Sequence, residues 1–109
     1  IFSERVNGKM ELRRGFSISK GQRVVIVEDI ITTGGSVFEL IQLAKEYGAE
    51  IVRVVNLVHR SPDEINFGKQ TTALLTIPSE SWETQNCPLC KQGMPVTERG
   101  RTGKKMETA

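Results

Sequence analysis

An unbroken apolar run at residues 24–27 constrains the fold of this chain more than any other segment. The run consists only of β-branched residues and does not alternate with polar ones, a pattern typical of a strand covered on both faces in a parallel sheet. It ends at Glu28 and Asp29 and is followed by a stretch of small and hydroxylated residues up to Ser36, which predicts a tight loop. The sequence therefore predicts a buried parallel strand whose carboxyl end carries a polar loop.

A helix is predicted directly after this loop. Ser36 is expected to cap its first turn, and Gly48 is expected to end it in a left-handed conformation. A second strand at 51–58 completes a strand, loop, helix, strand unit, and 72–77 predicts a further short strand. The fold class is therefore α/β, a parallel sheet with flanking helices. The apolar stripe of the predicted helix consists of Val37, Leu40, Ile41, Ala44 and Tyr47.

Length and charge narrow the possible functions. The 109 residues suffice for one hydrophobic core. The net charge of +2 is the sum of +4 over residues 1–23, −4 over 24–96 and +2 over 97–109. An acidic middle segment argues against a general nucleic-acid binder and suits a local anion site. The apolar stretch at 51–58 is far shorter than the roughly 20 residues that cross a bilayer, so we expect no membrane partner.

The two ends of the chain give separate expectations. Ile1 is not an initiator Met, and Ile1 with Phe2 is typical of the end of a buried strand, so we expect a fragment. Residues 97–109 contain one apolar side chain besides the terminal Ala109, which predicts a mobile basic tail.

The loop after the first strand has the composition of a phosphate-binding site. Residues 32–36, Thr-Thr-Gly-Gly-Ser, can turn several backbone N–H groups toward one point, and the following helix adds the positive end of its dipole. Glu28 and Asp29 would repel a phosphate, so we expect them to face the hydroxyl groups of a ribose beside it. The pattern predicts a sugar 5-phosphate site; a solvated acidic turn followed by a flexible connector is the alternative.

The segment 24–36 resembles the phosphoribosyl pyrophosphate signature of the type I phosphoribosyltransferases. Three further segments are most similar to the orotate branch of that family. They are Leu12 to Phe16, His59 to Ser61, and Cys87 to Cys90 with Gly93 and Pro95. The resemblance covers residues 1–96 and implies the Rossmann-like core of the family, of which this chain would be the carboxyl-terminal portion.

The resemblance implies an enzyme that transfers phosphoribosyl from phosphoribosyl pyrophosphate to orotate, with Mg²⁺ carried mainly by the pyrophosphate. Glu28 and Asp29 would be the catalytic carboxylates, and Thr32 and Arg60 would contact orotate. No metal ligand is assigned to the protein. The implied phosphoribosyl pyrophosphate site comprises Glu28, Asp29, Ile30, Ile31, Thr32, Thr33, Gly34, Gly35 and Ser36.

The leaving pyrophosphate requires cations, and the family uses a mobile loop before the signature strand for this task. The basic residues in that position here are Arg5, Lys9, Arg13 and Arg14. A solvated basic hairpin is the alternative for each of them. The resemblance also implies a homodimer, and the low cysteine content is compatible with a cytoplasmic protein.

Other interpretations stay open. One alternative is a regulator that senses phosphoribosyl pyrophosphate and binds nucleic acid through the basic tail. Another is a purine or uracil transferase, in which Arg60 would have no carboxylate to pair with. Cys87 and Cys90 are too few for an internal zinc site, so free thiols or an oxidisable pair are expected. We expect His59 to be a turn residue, and Trp82 to fill the core or a lid, with ligand stacking as the alternative.

Overall fold

The computed structural model describes residues 1–95. Among them, no helix is long and apolar enough to cross a membrane. The predicted tail at 97–109 lies outside the described residues. In chain order the helices and strands are β1 (Ser3–Val6), β2 (Lys9–Leu12), β3 (Arg23–Ile31), α1 (Gly35–Glu46), β4 (Glu50–His59), β5 (Thr71–Thr76) and α2 (Pro88–Lys91).

The central sheet is parallel and has the order β3, β4, β5. Val27 of β3 lies beside Val55 of β4, which in turn lies beside Thr72 of β5. The helix α1 connects β3 to β4, as parallel neighbours require a crossover connection. The predicted α/β class is confirmed, and the strands predicted at 51–58 and 72–77 are β4 and β5.

One face of this sheet packs against α1. The fully buried Val37 of the helix and Val54 of β4 lie at the centre of the core, and Phe67 enters it from the segment before β5. The predicted apolar stripe of α1 is confirmed at its three buried positions, which are Val37, Ile41 and Ala44. The core residues are Ile26, Ile31, Val37, Ile41, Ala44, Ile51, Val54 and Phe67.

The other face of the sheet is open in residues 1–95, so the prediction of a strand covered on both faces is wrong for this chain. Val25 and Val27 of β3 are 51% and 68% exposed, whereas Ile26 between them is 7% exposed. Leu57 of β4 and Leu74 of β5 are also exposed. Only one face of the apolar run is covered, because α1 is the only long helix among the described residues.

The helix α1 begins earlier than expected. Its N-cap is Gly34, with φ of 82°, and no side chain caps it. Ser36 lies inside the first turn, so its prediction as the cap is wrong: the left-handed turn at Gly34 already directs the chain into the helix. At the other end, Gly48 has φ of 74° and donates its N–H to the Lys45 carbonyl, which confirms the predicted left-handed stop.

A separate hairpin precedes the sheet. The strands β1 and β2 are antiparallel, and Asn7 and Gly8 join them with positive φ at both positions, as a tight hairpin turn requires. Phe2 packs edge-on against Phe16 at 5.1 Å between ring centroids. Ile1 and Phe2 lie outside the strand and are 74% and 46% exposed, so the expectation of a buried strand end is wrong.

Candidate active site

The acidic pair lies within β3, which continues two residues past the strand end that the sequence predicted at Glu28 and Asp29. The strand continues to Ile31 because Glu28 pairs with Asn56, and Ile30 with Val58, along the neighbouring strand. Glu28 is half-buried and Asp29 is exposed. Each carboxylate accepts the backbone N–H of the next residue, at 3.3 Å for Glu28 and 2.7 Å for Asp29. Both carboxylates are thus held at the carboxyl end of a parallel strand.

The loop after β3 is only three residues long, from Thr32 to Gly34. Together with Glu28 and the first turn of α1 it lines a small open cavity of about 50 Å³. The Thr33 hydroxyl oxygen accepts the Gly35 N–H at 3.4 Å, which shapes the turn. Because the loop ends at the amino terminus of a 12-residue helix, its N–H groups and the helix dipole both favour an anion.

Arg60 lies next to this loop. Its N–H donates to the Ile31 carbonyl at 2.8 Å, which ties the end of β4 to the end of β3. Its Nε–H donates to the Ser79 hydroxyl at 3.1 Å. Within residues 1–95 no carboxylate forms an ion pair with Arg60, so its terminal nitrogens are free to bind an acidic ligand.

Thr32 and Thr33 line a second cavity, of about 300 Å³, on the Arg60 side of the loop. Trp82 lies on the same wall and is 46% exposed, so its predicted place in the core is wrong. The two threonines are therefore shared between the loop cavity and the Arg60 cavity. The second cavity is lined by Thr32, Thr33, Arg60, Pro62, Ser79, Glu80, Ser81 and Trp82.

Comparison with known proteins identifies this arrangement. The family described as the phosphoribosyl transferase domain matches residues 2–90 of the chain. The chain belongs to the phosphoribosyl transferase family. The match includes the hairpin, the three-stranded sheet and the loop after β3, and it confirms the type I phosphoribosyltransferase fold that the signature segment predicted.

Several curated relatives of this phosphoribosyl transferase domain bear the name orotate phosphoribosyltransferase. The protein from Desulforamulus reducens is 52% identical over 100 residues, which cover 92% of this chain and 52% of the relative. The protein from Thermotoga maritima is 47% identical over 105 residues, which cover 96% of this chain and 56% of the relative. The chain thus spans about half the length of the curated relatives it matches.

The two adjacent carboxylates of this phosphoribosyl transferase domain, Glu28 and Asp29, differ in their exposure to water. Burial raises the pKa of Glu28 above its ordinary value, and the interaction with the Asp29 side chain raises it further. Two adjacent carboxylates repel each other, and one of them is partly withdrawn from water. A ligand that donates hydrogen bonds or carries positive charge would relieve this repulsion.

The predicted pyrophosphate cations do not line either cavity. Arg5 forms an ion pair with Glu39 of α1 at 2.9 Å, and Arg14 forms one with Glu4 at 2.9 Å. Arg13 lies 3.9 Å from the same Glu4. Lys9 is the one of the four without an ion pair in the described part of the chain. Three of the four basic residues therefore already lie beside carboxylates of β1 or α1.

Sequence reasoning missed two residues near the site, Ser79 and Asn56, and wrongly predicted a third, His59, to lie in a turn. Ser79 is bonded to Arg60, yet the two lie 19 positions apart and no local pattern connects them. Asn56 is 3% exposed beside Glu28, and neither end of its amide has a hydrogen-bond partner among the described residues. His59 is the last residue of β4 and not a turn residue, with Nε2 3.4 Å from the Asp63 carbonyl. Asn56 was detectable as a polar residue inside an apolar strand.

Proposed function

We propose that this chain forms the phosphoribosyl- and orotate-binding part of an orotate phosphoribosyltransferase. The reaction joins a ring nitrogen of orotate to C1 of the ribose in phosphoribosyl pyrophosphate, giving orotidine 5′-monophosphate and pyrophosphate for pyrimidine biosynthesis. One observation carries the proposal: Thr32 and Thr33 line both the anion-binding loop cavity and the cavity that contains Arg60. The names of the relatives support it.

The loop after β3 would bind the 5-phosphate of the ribose. Its backbone N–H groups lie at the amino end of α1, where the helix dipole attracts negative charge. The hydroxyls of Thr32, Thr33 and Ser36 add donors around the same cavity. Gly34 permits the left-handed turn that brings these groups together.

Glu28 and Asp29 would accept hydrogen bonds from the ribose 2- and 3-hydroxyls. As the bond from C1 to pyrophosphate breaks, the ribose gains oxocarbenium character, and two nearby carboxylates stabilise that positive charge more than they stabilise the neutral sugar. The same hydrogen bonds fix the ring relative to the attacking nitrogen. The two residues would therefore act catalytically by position and charge, without a proton transfer.

Arg60 would hold the carboxylate of orotate. Its guanidinium offers two parallel N–H donors that match a carboxylate, and Ser79 already fixes its orientation through Nε. Thr32, on the wall between the two cavities, lies where it can contact the base as well as the phosphoribosyl group. The exposed indole of Trp82 supplies an apolar surface for a planar ring in the same cavity. A base without a carboxylate would leave Arg60 unpaired.

Mg²⁺ fits this site as a companion of the substrate. Among residues 1–95 no three His, Cys, Asp or Glu side chains converge to hold a metal ion. Mg²⁺ usually keeps several waters and binds substrate phosphates, so the pyrophosphate would hold it without a dedicated ligand from the chain. When bound, the ion would neutralise the charge that develops on the leaving pyrophosphate.

The hairpin cations would contact pyrophosphate from a second subunit of a homodimer. Within one chain, Arg5, Lys9, Arg13 and Arg14 line neither cavity, which favours a contribution in trans over one in cis. Lys9 is the strongest candidate because it has no ion pair in the described chain to break first. Mixing Lys9→Ala subunits with Asp29→Asn subunits should restore activity in hybrid dimers if the two residues serve one site from different chains.

The decisive experiment measures loss of orotate absorbance that depends on phosphoribosyl pyrophosphate, with the full-length protein that contains this chain. Asp29→Asn should lower kcat, because charge stabilisation at C1 is lost, with little change in the orotate KM. Arg60→Ala should raise the orotate KM instead. Arg23→Ala is a matched control, since Arg23 is an exposed arginine at the amino end of β3, opposite the site.

Three outcomes would contradict the proposal. Unchanged turnover in both Asp29→Asn and Arg60→Ala would remove the assigned roles. Consumption of a purine or uracil but not of orotate would assign the protein to another branch of the family. Salt-dependent nucleic-acid binding that disappears on deletion of residues 97–109, without transferase activity, would favour a regulatory protein.

A further inference from the structure

Cys87 and Cys90 form a pair of thiols that the proposed transferase reaction does not use. They flank the first turn of α2, where Cys87 is the N-cap residue with an extended backbone. Both are free thiols and both are half-buried. Their neighbours Asn86, Pro88 and Leu89 are exposed, so the pair lies at the surface of the described chain.

The turn holds the two sulfur atoms on the same side. The Cys90 N–H donates to the Cys87 sulfur at 3.4 Å, and the Lys91 N–H donates to the Cys87 carbonyl at 3.1 Å. Pro88 fixes the backbone at the first helical position. The contact from the Cys90 N–H to the Cys87 sulfur brings the two cysteines together across a single turn.

The two thiols are electrostatically unequal. The pKa of Cys87 is lowered mainly because the Cys90 N–H donates a hydrogen bond to its sulfur. A hydrogen bond from the Cys90 thiol lowers it further. The same thiol contact raises the pKa of Cys90. Lys91 adds positive charge near Cys87. This asymmetry is that of an attacking and a resolving cysteine in a Cys-x-x-Cys site, where only the first is readily ionised.

We propose that the Cys87–Cys90 pair is a thiol–disulfide exchange site whose substrate is an exposed disulfide, R–S–S–R. The Cys87 thiolate attacks one sulfur of that disulfide, forming a mixed disulfide and releasing one RS⁻. Cys90 then loses its proton to water and attacks the Cys87 sulfur, which forms the Cys87–Cys90 disulfide and releases the second RS⁻. The two protons given up by the cysteines balance the two thiolates, and the pair is oxidised by two electrons as R–S–S–R is reduced.

A shared metal site is the competing use of two such thiols. Structural zinc requires four ligands, and within the described residues no third His, Cys, Asp or Glu joins the pair. Two chains would have to contribute four thiolates at one interface. The exposed approach to the sulfurs and the asymmetry between them favour exchange chemistry, and the experiment separates the two.

The test uses the full-length protein in buffers of reduced and oxidised glutathione, followed by alkylation and peptide mass spectrometry. We expect the wild-type protein to form an internal Cys87–Cys90 disulfide and little mixed disulfide. Cys90→Ser should instead accumulate glutathione at Cys87, because the resolving thiol is missing. Cys87→Ser should accumulate much less adduct at Cys90. In the reduced wild-type protein, iodoacetamide should label Cys87 several-fold faster than Cys90 at neutral pH.

Two results would overturn the proposal. The first is a wild-type protein that accumulates as much mixed disulfide as Cys90→Ser, with no internal bond. The second is a stoichiometric zinc ion shared by two chains that protects both thiols from iodoacetamide, which would assign the pair to a metal site. The labelling rates require no substitution, so they test the proposal even if a variant misfolds.

Discussion

Gly34 lies directly beneath the ring of Phe67. A Cβ placed on Gly34 would lie 2.9 Å from both Cε1 and Cζ of that ring and 3.3 Å from Cδ1 of Ile65. The Phe67 ring also packs against Phe38 of α1 at 4.8 Å between centroids. The segment before β5 therefore packs on the loop after β3 through a contact that only glycine permits, and the loop and this segment hold each other in place.

Replacement of Gly34 by alanine should destabilise the protein more than the left-handed backbone at this position alone would. The φ of 82° gives a strain of about 1–2 kcal/mol for any L side chain, and overpacking against Phe67 adds about 1–3 kcal/mol. Urea unfolding measures the sum. Gly68→Ala is the control, because Gly68 has φ of 72° but open space around it, so it should show the strain alone. Equal losses in both variants would mean that Phe67 moves away freely.

The one-sided packing of the sheet predicts opposite results at two adjacent positions of β3. Ile26 faces α1 and is 7% exposed, whereas Val27 is 68% exposed. Ile26→Ala should lower the free energy of unfolding of this chain by about 2–5 kcal/mol, through lost burial and a cavity. Val27→Ala should change it by less than about 1 kcal/mol. A large loss at Val27 would show that further polypeptide covers this face of the sheet.

The sequence was sufficient for the order of β3, α1, β4 and β5 because the relevant signals are local. The run at 24–27 and the stripe from Val37 to Ala44 each lie within one element, and the left-handed Gly48 lies two residues past the end of α1. The start of α1 was not predictable in this way. A hydroxyl at Ser36 is a good cap in general, but the left-handed turn at Gly34 starts the helix before Ser36 is reached.

The site was predictable only in part, for a similar physical reason. The loop and Arg60 follow neighbouring parallel strands, so their proximity follows from topology. The contact between Arg60 and Ser79 depends on how a non-helical segment returns to the sheet, which no periodicity encodes. An apolar run likewise shows that a strand is suited to burial without showing what covers each face, as the exposed Val27 demonstrates.

Replacement of Asn56 by an apolar residue should stabilise the folded protein. Its amide is buried beside Glu28, and neither of its polar atoms has a partner in the described chain. A buried polar group without a hydrogen bond is destabilising by about 1–3 kcal/mol, so Asn56→Leu should raise the free energy of unfolding by a similar amount. Asn56→Asp should lower it, because it adds a buried charge next to a carboxylate. A loss of stability in Asn56→Leu would indicate that the amide binds a buried water.

Glu28 should make stability depend on pH in the acid range. Burial raises the pKa of Glu28 in the folded state, and the Asp29 side chain raises it further, so folding favours the protonated form of Glu28. That contribution is fully present below the pKa of an unfolded glutamate, about 4.3, and is lost as pH rises through the higher folded-state pKa.

Glu28→Gln stays neutral at every pH, so its stability relative to the wild-type protein should increase as pH rises from about 4 to 7. Urea unfolding at several pH values measures the difference. Glu50→Gln, at the exposed amino end of β4, controls for the loss of one carboxylate elsewhere on the sheet. A constant gap between wild type and Glu28→Gln would contradict the raised pKa. The same variant should lower transferase activity at neutral pH, so stability and function are opposed at this residue.

Under the proposed orotate phosphoribosyltransferase function, Ser79 should position orotate through Arg60. Its hydroxyl accepts the Arg60 Nε–H at 3.1 Å, and its backbone N–H donates to the Arg60 carbonyl at 3.0 Å. Ser79→Ala removes the first bond and keeps the second, so the guanidinium gains rotational freedom while the backbone stays in place. Steady-state kinetics should show a KM for orotate raised several-fold, less than in Arg60→Ala, with kcat nearly unchanged. Ser81→Ala is the control on the same cavity wall, since the Ser81 hydroxyl makes no hydrogen bond within residues 1–95. An equal rise in KM for both serines would attribute the effect to the shape of the cavity and not to the orientation of Arg60.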